Sequence, residues 1–340
     1  MLRIDGSYGE GGGQILRSAV ALSALTGRDM EIVNIRSRRD KQGLAAQHLT
    51  AVRGVGELCG ARMEGDELRS TRLVFRPGPV QGGEYELDVG TAGSISLVLQ
   101  ACLLASLHAD GPVTLTVHGG TNVRMSPPVD YLIAVLAPLL RAMGIEVEVE
   151  VLQRGFYPQG GGTVRTTIVP PRAVLPLVLE ERGRLEEMGG TCFVQNLPDH
   201  VAERMDHAAR KAFLGGKLRI QKVRSSGPST GAGTFLYARY DNTVLGADAL
   251  GDRGVPAERV GEDAAARLKT EIDGGGTVDV HSSDQLLAYA ALAAGPSVFT
   301  VREISSHLHT QMWLVPQFLP VDITAEGVTP SRVVVTPNRT

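Results

Sequence analysis

Apolar and polar positions alternate in short runs, and longer stretches of small and aliphatic residues lie between them. Residues 30–35 (Met-Glu-Ile-Val-Asn-Ile) and 113–117 (Val-Thr-Leu-Thr-Val) have the period of two expected of a strand with one buried face. Each follows a helix-length run, ending near Leu25 and Leu107, and a glycine, Gly27 or Gly111. A third copy starts at His281, runs to Ala293, turns at Gly295 and resumes as a strand over 298–301. A second helix and strand follow each time: 47–59 with 61–63, 128–143 with 145–151, and 310–318 with 321–324. Self-similarity on this scale marks a multiplied supersecondary unit, and alternating strands and helices predict an α/β fold with helices layered on sheets.

The third copy starts late and leaves residues 180–272 over. That segment has its own expected strands (190–197, 218–222, 234–240) and helices (201–213, 256–270). The predicted organisation is one large domain, 1–179 with 273–340, interrupted by a small inserted α/β domain, 180–272. The polar, glycine-rich stretch 225–233 reads as a flexible loop, and Gly274-Gly275-Gly276 as a hinge.

A chain of 340 residues is long enough to bury a large core, in about two domains. Aromatics make up only 4% and there is one tryptophan, so the core must rest on Leu, Val, Ile and Ala. No apolar run reaches the roughly 18–20 residues of a membrane span, and the N-terminus enters a strand pattern without a signal-peptide core. Cys59, Cys102 and Cys192 lack the spacing of a zinc site or a disulfide framework and read as buried thiols, so a cytoplasmic location is expected. A net charge of −3 argues against coating long nucleic acids and leaves room for a local basic patch.

Chemistry concentrates in a few places. Residues 8–17, Tyr-Gly-Glu-Gly-Gly-Gly-Gln-Ile-Leu-Arg, set glycines at the mouth of a helix, where free N–H groups and the helix dipole favour anions. The Lys-Ser/Thr ending of a P-loop is absent. Glu10 inside this loop suits a divalent cation that bridges it to phosphate, or is simply an acidic residue near a helix N-terminus. Arg36, Arg38, Arg39 and Lys41 form the densest basic cluster, which reads as a solvated face or as a forked grip on phosphate. Arg39 lies as far past Gly27 as His307 lies past Gly295, which predicts equivalent loops before the second helix of two units. Ligands in open α/β sheets gather at such loops. His307 is the candidate nucleophile, against a structural or merely exposed role. Asp284 is expected to cap the third-copy helix, and Gln100 to sit exposed on the second.

Residues 154–164, Arg-Gly-Phe-Tyr-Pro-Gln-Gly-Gly-Gly-Thr-Val, free the backbone to approach a ligand or a neighbouring strand. This run, the 5–17 segment, Gln47-His-Leu-Thr-Ala-Val52, Gly93-Ser94 through Gln100, His200-Val-Ala-Glu203, Asp284-Gln-Leu286 and Ser306-His-Leu-His-Thr310 resemble the RNA 3′-terminal phosphate cyclase family. The resemblance implies three units similar to the C-terminal domain of translation initiation factor 3, plus a smaller inserted domain. It implies ATP-dependent conversion of an RNA 3′-phosphate end to a 2′,3′-cyclic phosphodiester, with a divalent metal, Mg or Mn. His307 matches the adenylylated histidine and Glu10 the metal ligand. Arg17, Arg36, Arg39, Gln47, Gln100, Asp284 and Gln285 match the nucleotide and phosphate site. The family often has an aromatic residue near position 281; here His281-Ser282-Ser283 stands there, with His281 as the substitute. The partner implied is RNA, with no membrane and a homodimer as one candidate assembly. Competing identities are a non-catalytic relative that scaffolds ribosomal-RNA processing and a carboxyvinyl transferase built of similar units.

Overall fold

The protein, a computed structural model, is described over residues 1–213 and 218–338 and is α/β throughout. The first unit runs β1 (Leu2–Asp5), α1 (Gly13–Thr26), β2 (Met30–Val33), α2 (Ala46–Leu58), β3 (Arg62–Glu64) and β4 (Leu73–Arg76). Its sheet order is β1-β2-β4-β3; β1 and β2 are parallel, the other pairs antiparallel. The second unit runs β5 (Gly83–Asp88), α3 (Ile95–Ala105), β6 (Val113–Gly119), α4 (Val129–Tyr131), α5 (Ala137–Ala142), β7 (Glu146–Gln153) and β8 (Gly162–Val169). Its order, β5-β6-β8-β7, and its strand senses repeat those of the first. The expected continuous helix over 128–143 contains a π-helical turn, Leu132–Leu136, between α4 and α5. Pro138, without an N–H, cannot bond the Ala134 carbonyl, and the helix widens just before it.

Next come β9 (Leu185–Gln195), α6 (His200–Ala212), β10 (Leu218–Ser225), β11 (Gly231–Tyr240), β12 (Val244–Leu250) and α7 (Ala257–Asp273). They form a separate sheet, β10-β9-β11-β12, with α6 and α7 packed on it around Met205, Ala209, Val260, Ala264 and Leu268. Phe193 and Phe235 of this sheet belong instead to the main core, Phe235 lying edge-on to Tyr131 at 6.3 Å.

The last unit has α8 (Val280–Ala291), β13 (Ser297–Val301), α9 (Ser306–Phe318), β14 (Val321–Glu326) and β15 (Ser331–Pro337), with sheet order β13-β15-β14. The strand corresponding to β1 and β5 is here cut in two. Val178 pairs in parallel with Val298, and Val278 with Val301, so the segment forming the small sheet interrupts this edge. Thr277 Oγ1 donates to the Leu179 carbonyl at 2.9 Å across the cut.

Period-two burial is clear in β6, where Val113, Leu115 and Val117 face inward and Thr114, Thr116 and His118 outward. The helices are fixed at their ends by local chemistry. Gly27, at φ 64°, closes α1 in the left-handed conformation. Side chains of Ser94, Asp279 and Ser305 accept hydrogen bonds from the first turns of α3, α8 and α9. Asp279, not Asp284, therefore caps α8. The first helices of the three units meet: α1 packs on α3, α3 on α8, and α9 lies against α1 and α8.

The glycine-rich 154–164 run is a joint rather than part of a ligand cleft. Arg154 is buried, bonds both oxygens of Asp130 at 2.7 and 2.8 Å, and lies 4.6 Å over the Phe193 ring. A side chain at Gly155 would strike Gly162 and the Gly119 carbonyl, and one at Gly161 would strike Pro228. The 225–233 stretch, expected to be a flexible loop, is docked here: buried Ser229 accepts from Phe156 N at 2.9 Å and from Gln195. The expected hinge at 274–276 is also tied down, because Arg182 donates to the carbonyls of Glu271, Ile272 and Gly276.

Candidate active site

Convergence of α1, α3 and α8 brings polar side chains from distant sequence into one cleft of about 580 Å³. Arg17 and Gln14 come from α1, Gln100 from α3, and His281, Asp284 and Gln285 from α8; His307 stands at the rim on α9. The remaining wall is the 123–127 loop together with Asp248, Leu250 and Arg267 of the inserted segment. Gln100 Nε2 donates to Gln285 Oε1 at 2.9 Å, and Gln14 Nε2 donates to Asp284 Oδ2, so hydrogen bonds join the three helices at the cleft floor.

Arg17 is buried, and its guanidinium has no hydrogen-bond partner among the described residues. Burial pulls its pKa down to about 10, with Asp284 opposing the shift. Asp284 is pushed up to about 7 by burial, against His281 and Arg17, which lower it. Asp248 rises to about 6, mainly through burial. A largely buried cation that faces the cleft, with no hydrogen-bond partner and only Asp284 nearby to offset it, is well suited to an anionic ligand.

His307 does not lie in a loop. Capping by Ser305 starts α9 earlier than the sequence suggests, and His307 becomes the second residue of that helix. Its Nδ1 is 2.8 Å from Gln14 Oε1. Because the amide N–H₂ of Gln14 is committed to Asp284, its oxygen faces the ring, and Nδ1 must be the donor. Nε2 is left unprotonated, 3.5 Å from Glu10 Oε2. Burial lowers the His307 pKa; Glu10 pulls the other way, and Arg17 and Arg39 add to the lowering. The ring is thus neutral near neutral pH, half-exposed and open at one nitrogen.

Glu10 accepts from Ser306 Oγ and pairs with Arg39 at 3.4 Å. Arg39 therefore reaches the His307 region from its loop through Glu10, and the expected equivalence of the two loops does not hold. Arg36 lies off the cleft, its guanidinium bonded to the Gly43 carbonyl at 2.8 Å. Gln47 is also off it, accepting from Ser94 N at 2.9 Å and so joining the first two units. Ser282 and Ser283 are fully buried, with hydroxyls bonded to Asp279 and to the Val280 carbonyl, and do not face the cleft. His281 is exposed at the edge, perpendicular to Tyr131 at 6.3 Å. No cluster of three or more His, Cys, Asp or Glu side chains able to hold a metal occurs among the described residues. Likewise, none of the described helices is long and apolar enough to cross a membrane.

Sequence reasoning missed Gln14, Ser306, Asp248 and Arg267. Gln14 had a signal: it stands three residues before Arg17, on the same face of the helix entered from the glycine loop. Asp248 and Arg267 had none, since only tertiary packing brings the inserted segment to the cleft. His48 is buried beside Gly13, with its pKa pushed down to about 3, chiefly by burial.

Comparison with known proteins adds a family to this geometry. The profile of "RNA 3'-terminal phosphate cyclase" matches residues 8–325. A protein of that name from Methanopyrus kandleri is 48% identical over 336 residues, covering 96% of both chains. One from Nitrosospira multiformis is 46% identical over 325 residues (94% of this chain, 92% of the other), and one from Archaeoglobus fulgidus 45% over 331 (96% and 98%). Because the likeness takes in every element that lines the cleft, the conclusion is that this chain belongs to the RNA 3′-terminal phosphate cyclase family.

Proposed function

We propose that the protein uses ATP to close an RNA 3′-phosphate end into a 2′,3′-cyclic phosphodiester, with His307 as nucleophile. One arrangement carries this reading: a neutral imidazole whose Nδ1 is held by Gln14 and whose Nε2 opens beside Glu10 and Arg39. The cleft behind it, with the unpartnered cation of Arg17, suits the nucleotide.

Nε2 attacks the α-phosphorus of ATP, forming a P–N bond and breaking the bond to pyrophosphate. Arg17 and Arg39 stabilise negative charge on the phosphates. An oxygen of the RNA 3′-phosphate then attacks the histidine-bound adenylate, breaking P–N and returning His307 unchanged. The product is an RNA 3′-end joined to AMP through a diphosphate. Its neighbouring 2′-hydroxyl attacks the terminal RNA phosphorus and gives its proton to solvent, while AMP departs with the bonding electrons. Intramolecular placement of that hydroxyl supplies much of the acceleration.

The donor set fits a divalent ion held by one protein carboxylate, because Glu10 is exposed and ion-binding phosphate sites commonly use few side chains. Glu10 would hold such an ion, which would supply charge neutralisation for the departing pyrophosphate. Incubation with α-labelled ATP tests the reading. Label should stay on the chain as an acid-labile adduct and move to 3′-phosphorylated RNA on addition. An unlabelled chain, or a His307→Ala chain that labels normally, refutes it.

A further inference from the structure

Aromatic side chains are scarce in this protein, yet its single tryptophan lies in a ring cluster beside the reactive histidine. Tyr8 and Trp313 are stacked with centroids 3.9 Å apart and planes 10° from parallel. The His309 ring lies parallel to Tyr8 within 4°, displaced to 6.1 Å. His309 and Trp313 are one helical turn apart on α9, and Tyr8 lies across both. Gly9, at φ 57°, lets the loop pass this close to the helix, since a side chain there would strike Thr310.

Half of the cluster remains open. Tyr8 and Trp313 are only half-buried, His309 is exposed, and its ring nitrogens have no hydrogen-bond partner among the described residues. The same loop carries Glu10 two residues beyond Tyr8. Arg38 donates to the Gly9 carbonyl at 2.9 Å, and Arg39 pairs with Glu10. The loop that carries Tyr8 onto α9 thus also holds the Glu10 carboxylate beside His307 and draws in two guanidinium groups. Cationic groups next to an open aromatic face are what a single-stranded nucleic-acid end requires: phosphates meet charge and a base meets a π-surface.

We infer that Tyr8, His309 and Trp313 form a stacking platform for the base of the 3′-terminal RNA nucleotide, outside the nucleotide cleft. This rests on the cyclase reading above and names the part of the same site that receives the RNA. Stacking is tolerant of base identity because every base has a π-face, so the platform would hold the end without selecting its sequence.

Trp313 provides the direct readout, since it is the only tryptophan. Titration with a short 3′-phosphorylated RNA should quench its fluorescence, and a non-hydrolysable ATP analogue alone should not. Tyr8→Ala should raise KM for RNA by about tenfold and leave the rate of His307 labelling by ATP unchanged. Tyr8→Phe should behave as wild type. An RNA whose last nucleotide lacks its base should bind the wild type about tenfold more weakly and Tyr8→Ala no more weakly still. Equal losses for both proteins, or fluorescence that answers ATP and not RNA, overturn the platform. Absence of any His307 adduct instead overturns the underlying function, so the two failures are separable.

Discussion

Gln14 Oε1 accepts the Nδ1 proton of His307 at 2.8 Å while its amide nitrogen is bound to Asp284. This fixes both the tautomer and the direction of the ring. Gln14→Ala should lower the rate of His307 adenylylation about 10- to 100-fold with little change in KM for ATP, because the ring loses alignment rather than substrate contacts. Single-turnover labelling measures both. A change confined to KM would show that Gln14 binds nucleotide and does not orient the histidine.

The pH dependence of adenylylation follows from the same ring. Burial holds the His307 pKa below the ordinary imidazole value of about 6.5. Protonation removes the Nε2 lone pair and pairs the ring with Glu10. The rate should therefore rise with pH on a limb lying below about 6.5 and be level at neutrality. In Glu10→Gln the limb should move to still lower pH, because the carboxylate favours the charged imidazole. A limb above 7, or one indifferent to Glu10, contradicts this account.

Arg17 exposes a conflict between stability and use. Its largely buried cation lacks a hydrogen-bond partner, and burial disfavours its charged form against the pull of Asp284. Arg17→Met, similar in length and uncharged, should raise the ligand-free Tm while reducing adenylylation at least about 100-fold. Calorimetry and labelling on one preparation decide it; a lowered Tm would mean the guanidinium is paired in the free protein.

The Arg154–Asp130 pair behaves in the opposite way. Both groups are buried and bidentately bonded. Arg154→Ala would strand the Asp130 carboxylate and cost about 3–5 kcal/mol, readable by urea unfolding. A double change, Arg154→Met with Asp130→Leu, should recover part of that loss.

The repeats were legible in the sequence because their helices end at glycines and their strands alternate, as in α1, Gly27 and β6. β12 (Val-Leu-Gly-Ala-Asp-Ala-Leu) escaped notice, since small residues blur the alternation and pairing with β11 holds it. Arg17, Gln100, Asp284, Gln285 and His307 do meet, because each sits on one of the four helices that converge, and Glu10 joins His307 from the loop that leads into α1. The reading faltered where local chemistry shifted an element by a turn. Ser305 and Asp279 cap helices earlier than expected, which carries His307 into α9 and moves Asp284 off the end of α8. Ser282 and Ser283 follow Asp279 into the interior for the same reason. Adjacency in sequence to Asp284 says nothing of which way a helical side chain points.

The hydrogen bond from Thr277 to Leu179 marks where the chain departs from the body and comes back. An excursion whose two ends touch leaves the host's connectivity as it was, so the closure entropy falls on the excursion alone. Topology thus makes this junction a natural place for new chain termini. The segment itself is not dispensable, since Phe193 and Phe235 pack in the main core and Asp248 and Arg267 line the cleft.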